Sequence, residues 1–258
     1  MDELTIPLFT KDHNEIHLRF TSFPLFFGPT GSHVNLYPRK GRLTFSSHFL
    51  TILVCSLPTA ALFLSVIISL YTDFEEATKT HCFVDNVLPS ISTAISSPWT
   101  QSIWKILIYA HAPPRFLALL VYSRWFTPSF RSRLTLLVYL IELLSLLSLT
   151  YFDSTSAHLY HVISFTTFGI SSVLHMLLHT SIVSNLTTRQ SMRIKRRSLI
   201  SSLVCISFCF LLFLRHNSNC EPYVFSAFAA FEYAFVVSNI AFHSTFRLDF
   251  PRYTLVMF

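Results

Sequence analysis

Charge is what this sequence has least of. Charged residues make up 12% of its 258 positions, against about 25% in an ordinary soluble domain. So little charge cannot clothe a water-facing surface, and lipid must do part of the covering. Glycine is scarce too, at four in the whole chain. No Walker loop, dinucleotide fingerprint or Gly-x-Ser-x-Gly elbow is present, and so few glycines leave little room for one. The opening segment lacks the apolar stretch of a cleaved signal peptide. Met1–Asp12 carries three acids, and the first long apolar run begins near Phe49, so that run is expected to serve as both signal and anchor. Internal repeats, low-complexity tracts and proline-rich linkers are also missing.

What fills the chain instead is hydrophobe, at 52% of residues, with 16% aromatic. A spanning helix needs roughly 20 mainly apolar residues. Six segments meet or approach that length: Leu50–Tyr71, Ile103–Tyr122, Leu134–Phe152, Tyr160–Val183, Leu199–Leu214 and Tyr223–Ser244. The expected fold is all-α, a polytopic membrane protein of six transmembrane helices with one larger lumenal loop between helices 1 and 2. It divides into a cytosolic tail 1–48, a membrane domain 49–250 and a cytosolic tail 251–258.

The net charge of +6 could suggest nucleic acid, but its distribution does not. The basic residues lie in short clusters between apolar runs, and no DNA- or RNA-binding motif accompanies them. Arg39, Lys40 and Arg42 fall on one side, with Arg124, Arg131 and Arg133, then Arg189–Arg197, then Arg247 and Arg252. The alternate loops hold only Lys79 and Arg215, with Lys105 at a boundary. The positive-inside rule therefore puts both termini in the cytosol. Cys82 and Cys220 then share the lumenal side, which permits disulfides, and a bridge between them is expected. Cys55, Cys205 and Cys209 fall inside spans as small apolar filler.

An ionisable group at membrane depth costs a few kcal/mol, so each one asks for a partner or a role. Arg115, Glu142 and His175 are level with one another on consecutive spans, and Glu232 sits mid-span in the sixth. Two readings fit: an ion pair from Arg115 to Glu142 or Glu232 that locks helices, or a polar pocket open to a lipid headgroup. Pro113 and Pro114 remove two helix donors just before Arg115, which favours a kink or a widened helix there. His175 and His179 share a helix face at metal-ligand spacing, but no third ligand is identifiable and no metal is assigned. His81, His158, His161 and His216 gather towards the lumenal edge. His216-x4-Glu221 and His81-x3-Asp85 have the spacing of acid–base pairs, a spacing that chance also produces readily.

Longer strings say more. Thr80-His81-Cys82 is followed by Asn86-Val-Leu-Pro89-Ser90-Ile-Ser92, then by His111-Ala-Pro-Pro114-Arg115-Phe-Leu. Later come Leu174-His175-Met-Leu-Leu, Arg215-His216-Asn217, Cys220-Glu221, Glu232-Tyr233 and Asn239-Ile-Ala-Phe242-His243. In order and spacing these resemble the post-GPI attachment to proteins factor 2 family, over about Leu50–Phe250. The departures are His179, the extra Pro113 and a long N-terminal tail.

The resemblance implies a multi-pass protein of the Golgi membrane, extending to the endoplasmic reticulum, that remodels the lipid of GPI anchors. The step is return of a saturated acyl chain to a lyso-anchor, which supports stable surface expression of GPI-anchored proteins. It marks His81, Cys82, Arg115, His175, Arg215, His216, Glu221, Glu232, Asn239 and His243. If the chain is itself an acyltransferase, His81 or His216 is the expected general base and Glu221 its orienting carboxylate. Arg115, Glu142, His175, Arg215, Glu232, Asn239 and His243 would line the lipid and headgroup pocket. No cofactor is identified, and acyl-CoA is a candidate donor. The implied partners are GPI-anchored proteins, lyso-GPI, membrane lipids and a partner enzyme of remodelling. Two other readings remain open: a non-catalytic scaffold that presents anchors to a separate acyltransferase, and a six-span regulator unrelated to GPI.

Overall fold

The computed structural model describes residues 15–18, 43–251 and 254–257. Most of the tail drawn at 1–48, including the basic cluster at Arg39–Arg42, lies outside the described residues, as does Arg252. The order of elements is β1 (Glu15–Leu18), β2 (Leu43–Ser46), α1 (Ser47–Thr72), α2 (Phe74–Thr78), α3 (Ile91–Ala94) and α4 (Pro98–Trp125). There follow α5 (Phe130–Tyr151), α6 (His158–Val183), α7 (Arg189–Asn219), α8 (Val224–Ser244), α9 (Phe246–Asp249) and β3 (Thr254–Met257).

Six helical segments are long and apolar enough to cross a membrane, the last formed by α8 running into α9. This is a multi-pass membrane protein with an all-helical membrane domain. The short strands add a small feature outside it: β3 pairs in parallel with β1 and antiparallel with β2.

The helix starts follow local chemistry. Ser46, Ser90, Ser97, Ser129 and Thr188 each accept an amide hydrogen bond at a helix N-cap, satisfying donors that a helix start leaves free. The fifth span, short in sequence, is the longest helix. Its basic approach Arg189–Arg197 continues the apolar run without a break, and the helix reaches Asn219. Pro113 and Pro114 lie within α4, which stays helical from Pro98 to Trp125.

The polarity of the fold is inverted relative to a soluble domain. Phe63, Ile67, Ile106, Ile170 and Phe210 are more than half exposed, while Ser172, Thr100, His175, Arg115 and Glu142 are buried. Hydrocarbon faces lipid, and polar groups face one another. Helix α5 packs on α6, α7 on α8, and α1 on both α4 and α8. Gly169 permits the approach of α6 to α7, since a Cβ there would lie 3.0 Å from Ile206 Cδ1.

Two apolar clusters stack along the bundle. One joins Tyr122, Phe126, Tyr139, Phe246 and Phe250; the other joins Ala61, Trp104, Ile108, Phe168 and Phe235. The first lies towards the end where Arg124, Arg131, Arg133, Arg193 and Arg247 are exposed, called here the basic end.

Lys195 departs from its expected place in that basic set. It is fully buried, and its ammonium lies 2.7 Å from Asp249 Oδ2 and also donates to Thr245 and Ser191. Asp249 Oδ1 accepts from Thr187 at 2.5 Å and Ser191 at 2.6 Å, and Oδ2 accepts from Tyr122 at 2.7 Å. Charge count placed Lys195 among solvated cations. The helix periodicity of α7 turns it inward instead, where an acid on α9 meets it.

Removing one partner of a fully buried pair strands the other charge, at a cost of about 3–5 kcal/mol. Lys195→Met is expected to lower the thermal unfolding temperature in detergent markedly, and Lys195→Met with Asp249→Leu to recover part of the loss. Equal melting of the single variant and the wild type would contradict the pairing.

Candidate functional site

Midway through the bundle, Glu142 on α5 gathers groups from three other helices. Arg115 Nη2 on α4 donates to Glu142 Oε1 at 2.7 Å. From α8, Asn239 Nδ2 donates to the same oxygen at 2.7 Å. His175 Nδ1 on α6 lies 2.7 Å from Oε2, and Ser172 donates to Oε1 at 3.2 Å. His243 Nε2 on α8 accepts from Arg115 Nη2 at 2.6 Å. Tyr139 lies under the guanidinium, 5.3 Å from ring centroid to Cζ, and stacks on His175. Of the two partners the sequence left open for Arg115, Glu142 is the one it takes.

Glu142, His175 and His243 have ligand atoms close enough together for a cation, but the Arg115 guanidinium already supplies the positive charge between Glu142 and His243. His179 stands apart from that group. Its ring packs edge-on against Tyr122 and Phe126, so the i, i+4 pair with His175 is an aromatic contact.

At the other end, Cys82 and Cys220 form a disulfide. It ties the segment after α2 to the α7–α8 turn, 138 residues apart in sequence. Phe83, Cys220 and Tyr223 all have positive φ without being glycine, a conformation that persists where surrounding bonds over-determine it. Here the disulfide and the Tyr223 N–H to Asp85 carbonyl bond, 2.8 Å, do so.

His81 and His216 meet edge to face beside the bridge, with ring centroids 5.4 Å apart. Glu221 does not reach either ring. Its carboxylate accepts from Arg215 at 2.6 and 2.9 Å and from Asn219 at 3.2 Å. Those bonds, Arg215's first, hold its carboxyl below the usual carboxylate range. The orienting role expected for Glu221 is therefore replaced by a pairing with Arg215. Chain proximity explains it, since the α7–α8 turn folds Glu221 back on the last turn of α7. Cys82 also completes a group of potential ligands with His81 and His216, but its sulfur is committed to the disulfide.

Between these two polar regions runs a cavity of about 760 Å³, its open mouth included. Trp104, Ile108, His111 and Arg115 form one stripe of α4 along it, facing Glu232, Phe235, Val236, Asn239 and His243 of α8. From Trp104 to Arg115 the α4 stripe runs eleven residue steps, about 16 Å of helix rise. The wall is mostly hydrocarbon. Its polar groups gather towards two regions: His111, Arg115, Asn239 and His243 deeper in the bundle, and Ser92, His161 and Glu232 nearer the disulfide end. Glu232 is separate from the Glu142 network; its carboxylate accepts from the Ile91 amide at 2.8 Å.

A family model described as the Frag1/DRAM/Sfk1/Cwh43P N-terminal domain matches residues 46–253. Post-GPI attachment to proteins factor 2 of Caenorhabditis elegans is 34% identical to the chain, over 81% of it and 87% of the relative. The chain belongs to the post-GPI attachment to proteins factor 2 family. A relative named Acyltransferase PGAP2, from Xenopus tropicalis, is 33% identical over 85% of the chain and 95% of its own length. The Drosophila melanogaster factor 2 is 33% identical over 80% of the chain and 87% of its length. No solved structure matches.

For this member of the factor 2 family, the residues marked by resemblance separate into three places. Arg115, His175, Asn239 and His243 converge on Glu142. His81, Cys82, Arg215, His216 and Glu221 sit around the disulfide. Glu232 holds the start of α3. Ser172 and Tyr139 complete the central network and were missed, because a buried serine or tyrosine in an apolar run carries no charge signal.

Glu142→Gln keeps the shape but strands the Arg115 charge among buried groups, a loss of about 3–5 kcal/mol. Its unfolding temperature in detergent is expected to fall well below that of Glu232→Gln. The disulfide has its own check: wild type should shift mobility on a gel when reduced, and Cys82→Ser should not. Its loss is expected to cost about 2–5 kcal/mol.

Proposed function

We propose that this chain remodels the lipid of GPI anchors on proteins of the secretory pathway, supporting return of a saturated acyl chain to a lyso-anchor. The observation that carries the reading is the cavity: a mostly apolar channel inside a membrane bundle, with His111 and Arg115 towards its deep end and Ser92, His161 and Glu232 towards the other. A hydrocarbon chain with a polar head has that same distribution. Two relatives covered over most of their length support it by name, one as Post-GPI attachment to proteins factor 2 and one as Acyltransferase PGAP2.

In this reading the acyl chain lies against Ile108, Phe168 and Phe235, and the Arg115–Glu142 network closes the deep end. The disulfide end, with Arg215, His81 and His216, faces the Golgi or endoplasmic reticulum lumen, where the anchor's phosphate and its protein are. Both termini are then cytosolic, and an acyl thioester such as acyl-CoA is the donor.

Cells lacking the chain should accumulate lyso-anchors and lose GPI-anchored proteins from the surface, as read by mass spectrometry of released anchors and by flow cytometry. Normal anchor lipids in those cells would sink the proposal. Purified protein given lyso-anchor and stearoyl-CoA should form the diradyl anchor. Val236→Trp, which narrows the channel midway, should shift the preference from eighteen-carbon towards twelve-carbon donors by at least roughly tenfold, since each CH₂ denied its place forfeits about 0.8 kcal/mol and the loss of two already exceeds a factor of about ten. Restoration in cells with no transfer by the purified protein would assign the chemistry to a partner enzyme that this chain serves.

A further inference from the structure

Ser92 and His161 meet where the apolar channel reaches the disulfide end. Ser92 Oγ lies 2.7 Å from His161 Nε2. The opposite ring nitrogen, Nδ1, lies 2.7 Å from the Phe152 carbonyl oxygen. A carbonyl only accepts, so Nδ1 carries the proton and donates it. Nε2 is thereby left as the acceptor, and the Ser92 hydroxyl donates to it. Hydroxyl, imidazole and orienting oxygen form one hydrogen-bonded relay, the arrangement that activates a serine for attack on a carbonyl carbon. Both side chains line the channel; His161 is buried and Ser92 half-buried.

Each member is held from behind. Phe152 caps α5, and the turn that follows is bound by Asp153, which accepts from the amide and hydroxyl of Thr155 and of Ser156. That turn keeps the Phe152 carbonyl aimed at α6. On the Ser92 side, the segment before α3 is fastened to α8 at three points. Ser226 Oγ accepts from the Val87 and Leu88 amides at 2.8 and 3.2 Å, Tyr233 donates to the Pro89 carbonyl, and Glu232 accepts from the Ile91 amide. A serine on a four-residue helix would otherwise be loosely placed.

We infer that Ser92 and His161 are a nucleophile and base that carry the acyl group between donor and acceptor. The inference rests on the acyl-transfer reading and names the atoms that perform it. A long-chain acyl donor, thioester or ester, lays its chain in the channel with its carbonyl carbon at Ser92. Ser92 Oγ bonds to that carbon as its proton passes to His161 Nε2. The carbon–sulfur or carbon–oxygen bond to the donor's head breaks, and the departing thiol or alcohol leaves with the Nε2 proton. The acceptor's free hydroxyl then gives its proton to Nε2 and its oxygen bonds to the acyl carbon. Ser92 Oγ departs and recovers the proton. The chain is unchanged, and one ester has formed for each donor bond broken.

The test labels full-length protein in native membranes with a fluorophosphonate, which reacts with activated serines, and maps the adduct by peptide mass spectrometry. Wild type should carry the label on the Ser92 peptide, and His161→Gln should carry at least tenfold less. Wild type with stearoyl-CoA or with diacyl phospholipid, supplied separately, should show a stearoyl ester on Ser92 from the true donor. Ser92→Ala should lose transfer by roughly a hundredfold or more, with an unfolding temperature within a degree or two of wild type. An unlabelled Ser92 in wild type, or wild-type transfer by Ser92→Ala, overturns the pair and leaves the remodelling function standing. A labelled Ser92 in a chain whose loss leaves anchor lipids normal supports the pair and overturns the anchor as its substrate.

Discussion

One buried carboxylate organises this bundle. Glu142 has no exposed surface, and in a low-dielectric interior an unpaired charge there would cost several kcal/mol. It is instead met by Arg115 from α4, His175 and Ser172 from α6 and Asn239 from α8. Hydrogen bonds at 2.7 to 3.2 Å are directional. Sliding any of these helices by one turn would open the bonds and leave Arg115 and Glu142 unsolvated. Apolar side chains in lipid offer no comparable penalty, because lipid tails accept them as readily as neighbouring helices do. The register of α4, α5, α6 and α8 therefore rests on polar contacts.

A channel can persist inside the bundle because its two ends are fastened by different means. At the basic end Lys195 and Asp249 join α7 to α9, with Tyr122 of α4 and Thr187 bound to the same carboxylate. At the opposite end the Cys82–Cys220 disulfide draws the segment after α2 over the α7–α8 turn. Bonds to Ser226, Tyr233 and Glu232 then carry that segment along α8 as far as α3. The space left between these fastenings is lined by hydrocarbon and closed below by the Glu142 network. The same fastenings that stabilise the fold thus shape the site and hold Ser92 against His161.

Much of the fold was legible because bilayer thickness leaves few choices. Six apolar runs announced six spans. Arg115, Glu142 and His175 could be placed at one depth by counting from the ends of their runs. Where reading by run or by charge went astray, a local signal was masked by its neighbours. Lys195 is one basic residue among five in Arg189–Arg197, and only its position on the inner face of α7 separates it from the others. Glu221 stands five residues after His216, but the turn between helices delivers it to Arg215.

The apolar runs, the alternation of basic and non-basic loops, and the rarity of charge by themselves determined a six-span membrane protein with its cysteines Cys82 and Cys220 at one end. These are properties of segments, set by the cost of placing peptide and charge in hydrocarbon, so they survive without knowledge of packing. Which carboxylate Arg115 takes, which histidine meets Ser92, and where a channel remains open were decided only by the tertiary structure. Each depends on the rotation and height of one helix against another, and a hydrogen bond tolerates only a few tenths of an ångström that spacing along the chain does not specify.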